Sequence, residues 1–195
     1  DLHVRSRRQH QMCIRDSVTS AQAVLQLAAE EVPAGAKLLI IGADSLRDLA
    51  REMGFKVVSS ADDKPAAVVQ GFDRSVGWEH LTEGALAIRQ GAKFFASNLD
   101  TSLPIERGLA VGNGSLVAAI QSATGVEPVS AGKPEPAMFT FAAKQIGAKK
   151  PLAVGDRLDT DIAGGNSAAM DTFHVLTGVS GELELIEAPV EARPN

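Results

Sequence analysis

The sequence predicts an α/β protein built on parallel β-sheets. Apolar runs of strand length alternate with segments of helical periodicity along nearly the whole chain. Such alternation is typical of strand–helix–strand units, in which helices cover both faces of a parallel sheet. Polar residues, Asp156 among them, follow directly after several of the apolar runs. In open α/β sheets this position, at the carboxyl ends of the strands, is where ligands bind.

The amino-acid composition argues against several classes of function. The chain has 195 residues, is 45% hydrophobic and carries a formal net charge of −5, which suits one large globular domain or two small ones. The acidic balance and the 4% aromatic content argue against a nucleic-acid partner. No apolar stretch approaches the ~20 residues that a membrane span needs. The single cysteine, Cys13, excludes an internal disulfide and is in keeping with a cytoplasmic location.

Residues 1–17 differ in character from the rest of the chain. Their sequence, DLHVRSRRQHQMCIRDS, is rich in Arg, His and Gln and has no apolar period. It also lacks the long apolar core of a secretory signal. We interpret this stretch as a non-native leader, with a native basic tail as the alternative, and assign no role to Cys13.

From Val18 onward the elements can be assigned in order. Thr19 and Ser20 can cap a helix that runs to about Glu31. Further helices are predicted over 45–53, 78–90, 115–123, 136–146 and the stretch after Asp159, and strands over 37–42, 55–58, 66–70, 93–97, 128–130, 151–154 and 172–176. We divide this pattern into two α/β blocks, residues 18–90 and 91–195, with the boundary near Gly91.

Carboxylates are concentrated in the segment VGDRLDTDI, residues 154–162. Gly155 marks a turn, so Asp156 is placed at the end of the preceding strand. Asp159 is predicted to be a helix N-cap and Asp161 to lie in the first helical turn, where the helix dipole favours negative charge. Such a cluster of hard oxygen ligands suits Mg²⁺, and simple helix capping is the alternative interpretation.

Three other polar segments are candidates for chemistry. Lys133 precedes a proline, which biases its backbone to an extended form, and its point charge suits a phosphoryl oxygen or neighbouring carboxylates. Asn98 and Asp100 form a polar strand end, for which an Asx-turn is the alternative. The segment 112–114, Gly-Asn-Gly, offers backbone N–H groups at a helix start as a weak anion site.

Three segments resemble, in order and spacing, the haloacid dehalogenase (HAD) superfamily: SNLDTSLP, GKPEPAMF and VGDRLDTDIAGGNSAAMDTFHVLTG. They are most similar to its 4-nitrophenylphosphatase- and NagD-like phosphatases, which have a large α/β cap. The resemblance covers nearly everything after Val18. It implies that residues 18–90 form the cap and residues 91–195 the carboxyl-terminal part of a Rossmann-like parallel-sheet core.

The resemblance also implies roles for single residues. Lys133 matches the lysine that neutralises the transferring phosphoryl group and the nucleophile. Asp156 matches the Mg²⁺-binding aspartate, and Asp161 the second acid of that motif, which supports the metal site or its lysine.

Other matches concern the substrate. Asn98 and Asp100 match a polar loop that faces the active site, while Gly71, Phe72 and Asp73 lie in the cap, where substrate contacts are expected. The resemblance therefore implies a small phosphorylated substrate, and it allows a homodimer formed through the cap.

The chain departs from the family pattern at its start. Family members begin with a strand carrying D-x-D, whose first aspartate attacks phosphorus, and a second strand ends in a phosphoryl-binding Ser or Thr. Neither is found here, and the D-x-D of residues 159–161 comes after the metal aspartate. We expect a parent phosphatase that depends on Mg²⁺ and little or no turnover by this chain. The alternative is a non-catalytic α/β module that binds a phosphometabolite or a protein partner.

Overall fold

A computed structural model describes residues 17–195, so the predicted leader, apart from Ser17, lies outside the described residues. The chain divides into two compact units. The first spans Ser20–Gly132, and the second contains Lys133–Asn195. Among the described residues, no helix combines the length and the apolar character needed to cross a membrane.

The first unit contains a parallel sheet with helices packed against it. Its helices are α1 (Ser20–Glu31), α2 (Asp44–Glu52), α3 (Trp78–Arg89) and α4 (Asn113–Thr124). Its strands are β1 (Lys37–Ile41), β2 (Lys56–Val58), β3 (Ala67–Gln70), β4 (Lys93–Ala96), β5 (Ser102–Ile105), β6 (Gly108–Val111) and β7 (Val129–Ser130), and a 3₁₀ turn spans Ala61–Asp63. Five of the strands form one sheet in the order β2-β1-β3-β4-β7, with every pair parallel.

The central strands are buried because their residues are apolar on both faces. On one face, Leu39, Val68 and Phe94 belong to a core cluster with residues of α3 and α4. α3 approaches the sheet closely at Gly84, where an added Cβ would lie 2.5 Å from Ile41 Cδ1. This arrangement confirms the predicted α/β class with a parallel sheet.

The predicted boundary near Gly91 lies inside the first unit. β4 pairs with β3, Val68 opposite Phe94, so the residues on both sides of Gly91 contribute to one sheet. The structure divides after Gly132 instead.

The first unit contains a β-hairpin that the sequence pattern does not predict. β5 and β6 pair in antiparallel register, with Ser102 opposite Val111. Most of its residues are exposed, and Leu109 is 77% exposed. Without a buried face the hairpin has no clear alternation of apolar and polar residues, and Pro104 disfavours a strand prediction.

The second unit is smaller. Its elements are α5 (Ala137–Gln145), β8 (Leu152–Gly155), a π-helical turn (Leu158–Ile162), α6 (Ala163–Ser167), β9 (Asp171–His174), α7 (Glu182–Glu187) and a 3₁₀ turn (Val190–Ala192). β8 and β9 form a parallel pair, with Val154 opposite Phe173. Ala153 and Thr172 face α6, where an added Cβ on Gly165 would lie within 2.7 Å of both side chains.

Candidate active site

Asp156 comes directly after the last residue of β8, as the sequence predicts. Its backbone oxygen accepts a hydrogen bond from the Ser180 amide at 3.0 Å. Its carboxylate Oδ2 accepts one from the Val179 amide at 2.9 Å. The loop after β9 therefore fixes the carboxylate through one oxygen and leaves the other for a ligand.

Gly178 is required by this arrangement. A Cβ at residue 178 would lie 1.9 Å from Asp156 Oδ2 and 2.5 Å from Asp156 Cβ. Any side chain at this position must displace the carboxylate or the loop. The sequence pattern does not identify Gly178, because the close approach depends on folding that brings two distant segments together.

Lys133 and Asp161 form an ion pair in the second unit. Lys133 Nζ lies 2.5 Å from Asp161 Oδ1. The other carboxylate oxygen, Oδ2, accepts a hydrogen bond from the Arg157 amide at 3.2 Å. The Asp161 side chain is only 15% exposed, whereas that of Lys133 is 41% exposed. The aspartate is thus held on both sides, and the lysine keeps solvent access to a ligand.

The Lys133–Asp161 ion pair lies beside Asp156, because Asp161 contacts Gly155, the residue before Asp156. A Cβ at residue 155 would lie 2.2 Å from Asp161 Cβ, so Asp161 packs directly over the glycine that precedes Asp156. The structure therefore brings three of the predicted site residues, Lys133, Asp156 and Asp161, to the carboxyl end of β8.

The prediction that Asp159 is a helix N-cap is wrong. The chain after Asp156 forms a π-helical turn whose N-cap residue is Arg157, and no side chain caps it. Asp159 instead accepts two hydrogen bonds from the Arg157 guanidinium, at 3.0 Å from Nη2 and 3.3 Å from Nε. Its carboxylate is 68% exposed. The amides that an N-cap at Asp159 would bind, those of Asp161 and Ile162, donate instead to the Arg157 backbone oxygen.

The described residues supply only part of a metal site. Among them, no group of three or more His, Cys, Asp or Glu side chains is arranged to hold a metal ion. Asp161 is paired with Lys133, which leaves Asp156 as the available carboxylate. Mg²⁺ commonly binds one or two carboxylates together with water and substrate phosphate. Asp156 therefore fits as one Mg²⁺ ligand.

The polar strand end at Asn98 and Asp100 lies in the first unit. Asn98 Oδ1 accepts a hydrogen bond from the Asp100 amide at 3.3 Å, which is the Asx-turn considered as the alternative. The Asn98 backbone oxygen accepts one from Asn113 Nδ2 at 2.8 Å. This loop packs against the start of α4, while Asp100 is exposed.

The anion site predicted at residues 112–114 is not formed. The amides of Gly112 and Gly114 donate to the backbone oxygens of Thr101 and Asp100, at 2.9 and 2.8 Å. Added Cβ atoms on the two glycines would lie 2.3 and 2.1 Å from backbone oxygens of the 98–101 loop. These glycines permit close backbone packing, and their N–H groups are used within the protein.

Gly71, Phe72 and Asp73 come after the end of β3 in the first unit. The Gly71 amide donates to the Ile41 backbone oxygen at 2.8 Å, which extends the contact between β3 and β1. Asp73 Oδ1 accepts hydrogen bonds from the Ser75 hydroxyl at 2.5 Å and the Ser75 amide at 2.7 Å. These hydrogen bonds lower the pKa of Asp73, and the bond from the Ser75 hydroxyl has the largest effect. The positive charge of Arg47 lowers it further.

Comparison with known proteins identifies similar sequences. Residues 130–195 match the family described as HAD-hydrolase-like. The D-glycerol 3-phosphate phosphatase of Mycobacterium tuberculosis is 46% identical over 179 residues, which is 92% of this chain and 51% of that protein. An acid sugar phosphatase of Staphylococcus saprophyticus is 39% identical over 170 residues, 86% of this chain and 64% of that protein. The chain thus spans between about half and two thirds of these relatives.

Several solved structures match most of the chain. The glycerol phosphate phosphatase of Mycobacterium tuberculosis in complex with calcium has a TM-score of 0.88 and 46% identity, covering 92% of this chain and 54% of that one. Its magnesium complex has a TM-score of 0.86, again with 46% identity, covering 91% of this chain and 54% of that one. A hypothetical protein from Pyrococcus horikoshii has a TM-score of 0.80 and 34% identity, covering 91% of this chain and 69% of that protein.

Proposed function

Because the chain belongs to the HAD-like hydrolases, we propose that it carries the lysine and aspartate part of a phosphatase that depends on Mg²⁺ and acts on a small phosphomonoester. The observation that carries the proposal is the Lys133–Asp161 ion pair beside Asp156 at the carboxyl end of β8. A cation and a fixed carboxylate at a strand end suit the binding of a phosphate and its metal ion.

Each of these residues has a distinct role in the proposal. Asp156 presents its free carboxylate oxygen to Mg²⁺, since its other oxygen is held by the Val179 amide. Lys133 donates to a phosphoryl oxygen as charge develops during transfer. Asp161 orients the lysine through the 2.5 Å contact. When bound, Mg²⁺ neutralises phosphoryl charge and helps to align the phosphate for attack.

The substrate is proposed to be a small phosphorylated metabolite. The similar phosphatases are named for glycerol phosphate and for acid sugars. We assign the cap to the first unit and the core to the second. The proposed substrate contacts lie in the cap and are Gly71, Phe72, Asp73, Asn98 and Asp100. A homodimer through the cap and a cytoplasmic location belong to the same proposal, supported by the family resemblance and by the single cysteine.

The nucleophile is proposed to come from outside the described residues. The family reaction needs a carboxylate that attacks phosphorus. Asp161 is paired with Lys133, and the proposal assigns the open carboxylate oxygen of Asp156 to Mg²⁺. Metal and lysine stabilise charge but do not replace the attacking group. We therefore expect the chain alone to hydrolyse phosphomonoesters poorly. The same observation favours the second candidate function, a non-catalytic module that binds a phosphometabolite or a partner.

A domain exchange tests the proposal. In the D-glycerol 3-phosphate phosphatase of Mycobacterium tuberculosis, the stretch matched by this chain is replaced with the matching residues of this chain. We call this protein the exchange chimera. Hydrolysis of 4-nitrophenyl phosphate and of glycerol 3-phosphate is measured with and without Mg²⁺, beside the unmodified relative and this chain alone.

The proposal predicts that the exchange chimera hydrolyses phosphomonoesters with Mg²⁺ and that this chain alone does not. A folded chimera without activity would favour the binding module. Turnover by this chain alone, lost with Asp156→Ala, would overturn the proposed external nucleophile.

A further inference from the structure

Two buried amide side chains in the first unit lack hydrogen-bond partners. Gln70, the last residue of β3, is 0% exposed, and Asn113, the first residue of α4, is 2% exposed. Within the described part of the chain, Gln70 Nε2 and Oε1 and Asn113 Oδ1 have no partner. A buried amide group without a partner destabilises the fold, so native proteins satisfy such groups with protein or ordered water.

The two side chains point into the same layer of the first unit. Gln70 lies two residues beyond Val68 on β3, so both project from the same face of the sheet. On α4, Asn113, Val117 and Ile120 have the i, i+4, i+7 spacing of one helix face, and all three are buried. Val68, Val117 and Ile120 share one core cluster, so this helix face packs on this sheet face.

Gln70 and Asn113 also lie at similar levels along the strand direction. Val68 and Ile120 lie at one level, because both approach the position of an added Cβ on Gly84, at 3.6 and 3.1 Å. α4 begins beside Asn98, beyond the carboxyl end of β4, and so runs antiparallel to the strands. From the shared level, Gln70 is about 6.6 Å further toward the carboxyl end, and Asn113 is about 10.5 Å further. The two residues therefore lie within about 4 Å of each other along the strand direction.

We infer that Gln70 and Asn113 form an internal water site between β3 and α4. The three unpartnered atoms offer one amide donor group and two acceptor oxygens, which is the number of polar partners that a buried water usually has. A water there accepts from Gln70 Nε2 and donates to Asn113 Oδ1. Gln70 Oε1 is satisfied by the second hydrogen of the same water or by a neighbouring water.

The water site connects two polar loops of the first unit. The Gln70 backbone oxygen accepts from the Ser97 amide at 2.8 Å, and Gly71 is the next residue along the chain. On the other side, Asn113 Nδ2 holds the Asn98 backbone oxygen. The bridge therefore fixes the loop after β3 relative to the loop after β4. This inference does not depend on the proposed phosphatase activity.

A double-mutant cycle on this chain tests the coupling. Gln70→Met keeps the side-chain volume and removes the amide, and Asn113→Ala removes the second partner. Thermal unfolding midpoints are measured for the wild type, both single variants and the double variant. The matched control cycle pairs Gln70→Met with Ser115→Ala, which removes a hydroxyl bonded to Thr101 at the same helix start.

If the water site is present, Gln70→Met in the otherwise wild-type chain is expected to lower the thermal unfolding midpoint by about 3–8 °C. The reason is that Asn113 Oδ1 loses the water that bridges it to Gln70. In the Asn113→Ala background the same change is expected to have little effect or to raise the midpoint. The control cycle is expected to be additive. Equal shifts in both backgrounds, or a higher midpoint for Gln70→Met alone, would overturn the inference.

A crystal structure of the chain gives the direct observation. Ordered density within hydrogen-bond distance of both Gln70 Nε2 and Asn113 Oδ1 is the expected result. A direct hydrogen bond between the two amides, or density filled by apolar side chains, would show that no such water is bound.

Discussion

Lys133 Nζ lies 2.5 Å from Asp161 Oδ1, at the end of the strand that carries Asp156. The pair joins residues 28 positions apart in the sequence. Asp161 packs over Gly155, so the position of the lysine is tied to the strand end through one carboxylate. This relationship makes the charge of Lys133 available beside Asp156, and the first prediction rests on it.

Lys133→Met in the exchange chimera is expected to lower kcat for 4-nitrophenyl phosphate by about 10²–10³-fold, because a preorganised cation at the phosphoryl group is lost. Steady-state kinetics at saturating Mg²⁺ measure this. Lys144→Met on the exposed side of α5 is the matched control and is expected to leave kcat unchanged. If both variants lose activity equally, Lys133 has no special role.

Gly178→Ala in the chimera is expected to weaken the apparent Mg²⁺ affinity by about 10-fold or more, since the added Cβ would lie 1.9 Å from Asp156 Oδ2. Activity measured against Mg²⁺ concentration reports the change. Gly181→Ala in the same loop is the control, because nothing lies within 4 Å of its Cβ position. An unchanged Mg²⁺ profile for Gly178→Ala would show that the loop does not position Asp156.

The pKa of Asp73 provides a pH prediction. Hydrogen bonds from Ser75 lower this pKa below 3.8, so the carboxylate stabilises the fold above about pH 3.8, and this stabilisation is lost as the pH falls through the lower folded value. Ser75→Ala is expected to raise the pKa toward 3.8, as measured by NMR titration of the Asp73 carboxyl carbon. Ser59→Ala serves as a control at another exposed serine. Identical titration of Asp73 in all three proteins contradicts the assignment.

Gly114→Ala is expected to destabilise this chain by about 3 kcal/mol, because the new Cβ would lie 2.1 Å from the Leu99 backbone oxygen. Chemical denaturation of the isolated chain measures the loss. The control is Gly77→Ala at the N-cap of α3, where nothing lies within 4 Å of the added Cβ. The close-packing account fails if the two alanine variants are equally stable.

Features that depend on the local residue pattern can be predicted from the sequence. Buried parallel strands appear as continuous apolar runs, and Asp156 comes directly after such a run, so its place at a strand end could be predicted. The predicted fold class is confirmed for the same reason. The roles of Lys133, Asp156 and Asp161 came from a family resemblance and stay predictions, although the structure places these residues together.

Features that depend on contacts between distant segments could not be read from the pattern. Asp159 resembles an N-cap, but the neighbouring Arg157 binds it instead. The glycines at 112 and 114 resemble an anion loop, but the 98–101 loop already occupies their N–H groups. The alternation of strands and helices predicts a boundary near Gly91, whereas strand pairing continues across it.

Activity of the exchange chimera carrying Asp156→Asn tests the central claim most directly. This change removes the carboxylate charge with little change in size, and Asp171→Asn at the exposed start of β9 is the matched control. We predict that Asp156→Asn lowers Mg²⁺-dependent hydrolysis of 4-nitrophenyl phosphate by about 10²-fold or more, while Asp171→Asn leaves it unchanged. Full activity of the Asp156→Asn chimera would contradict the proposed phosphatase site.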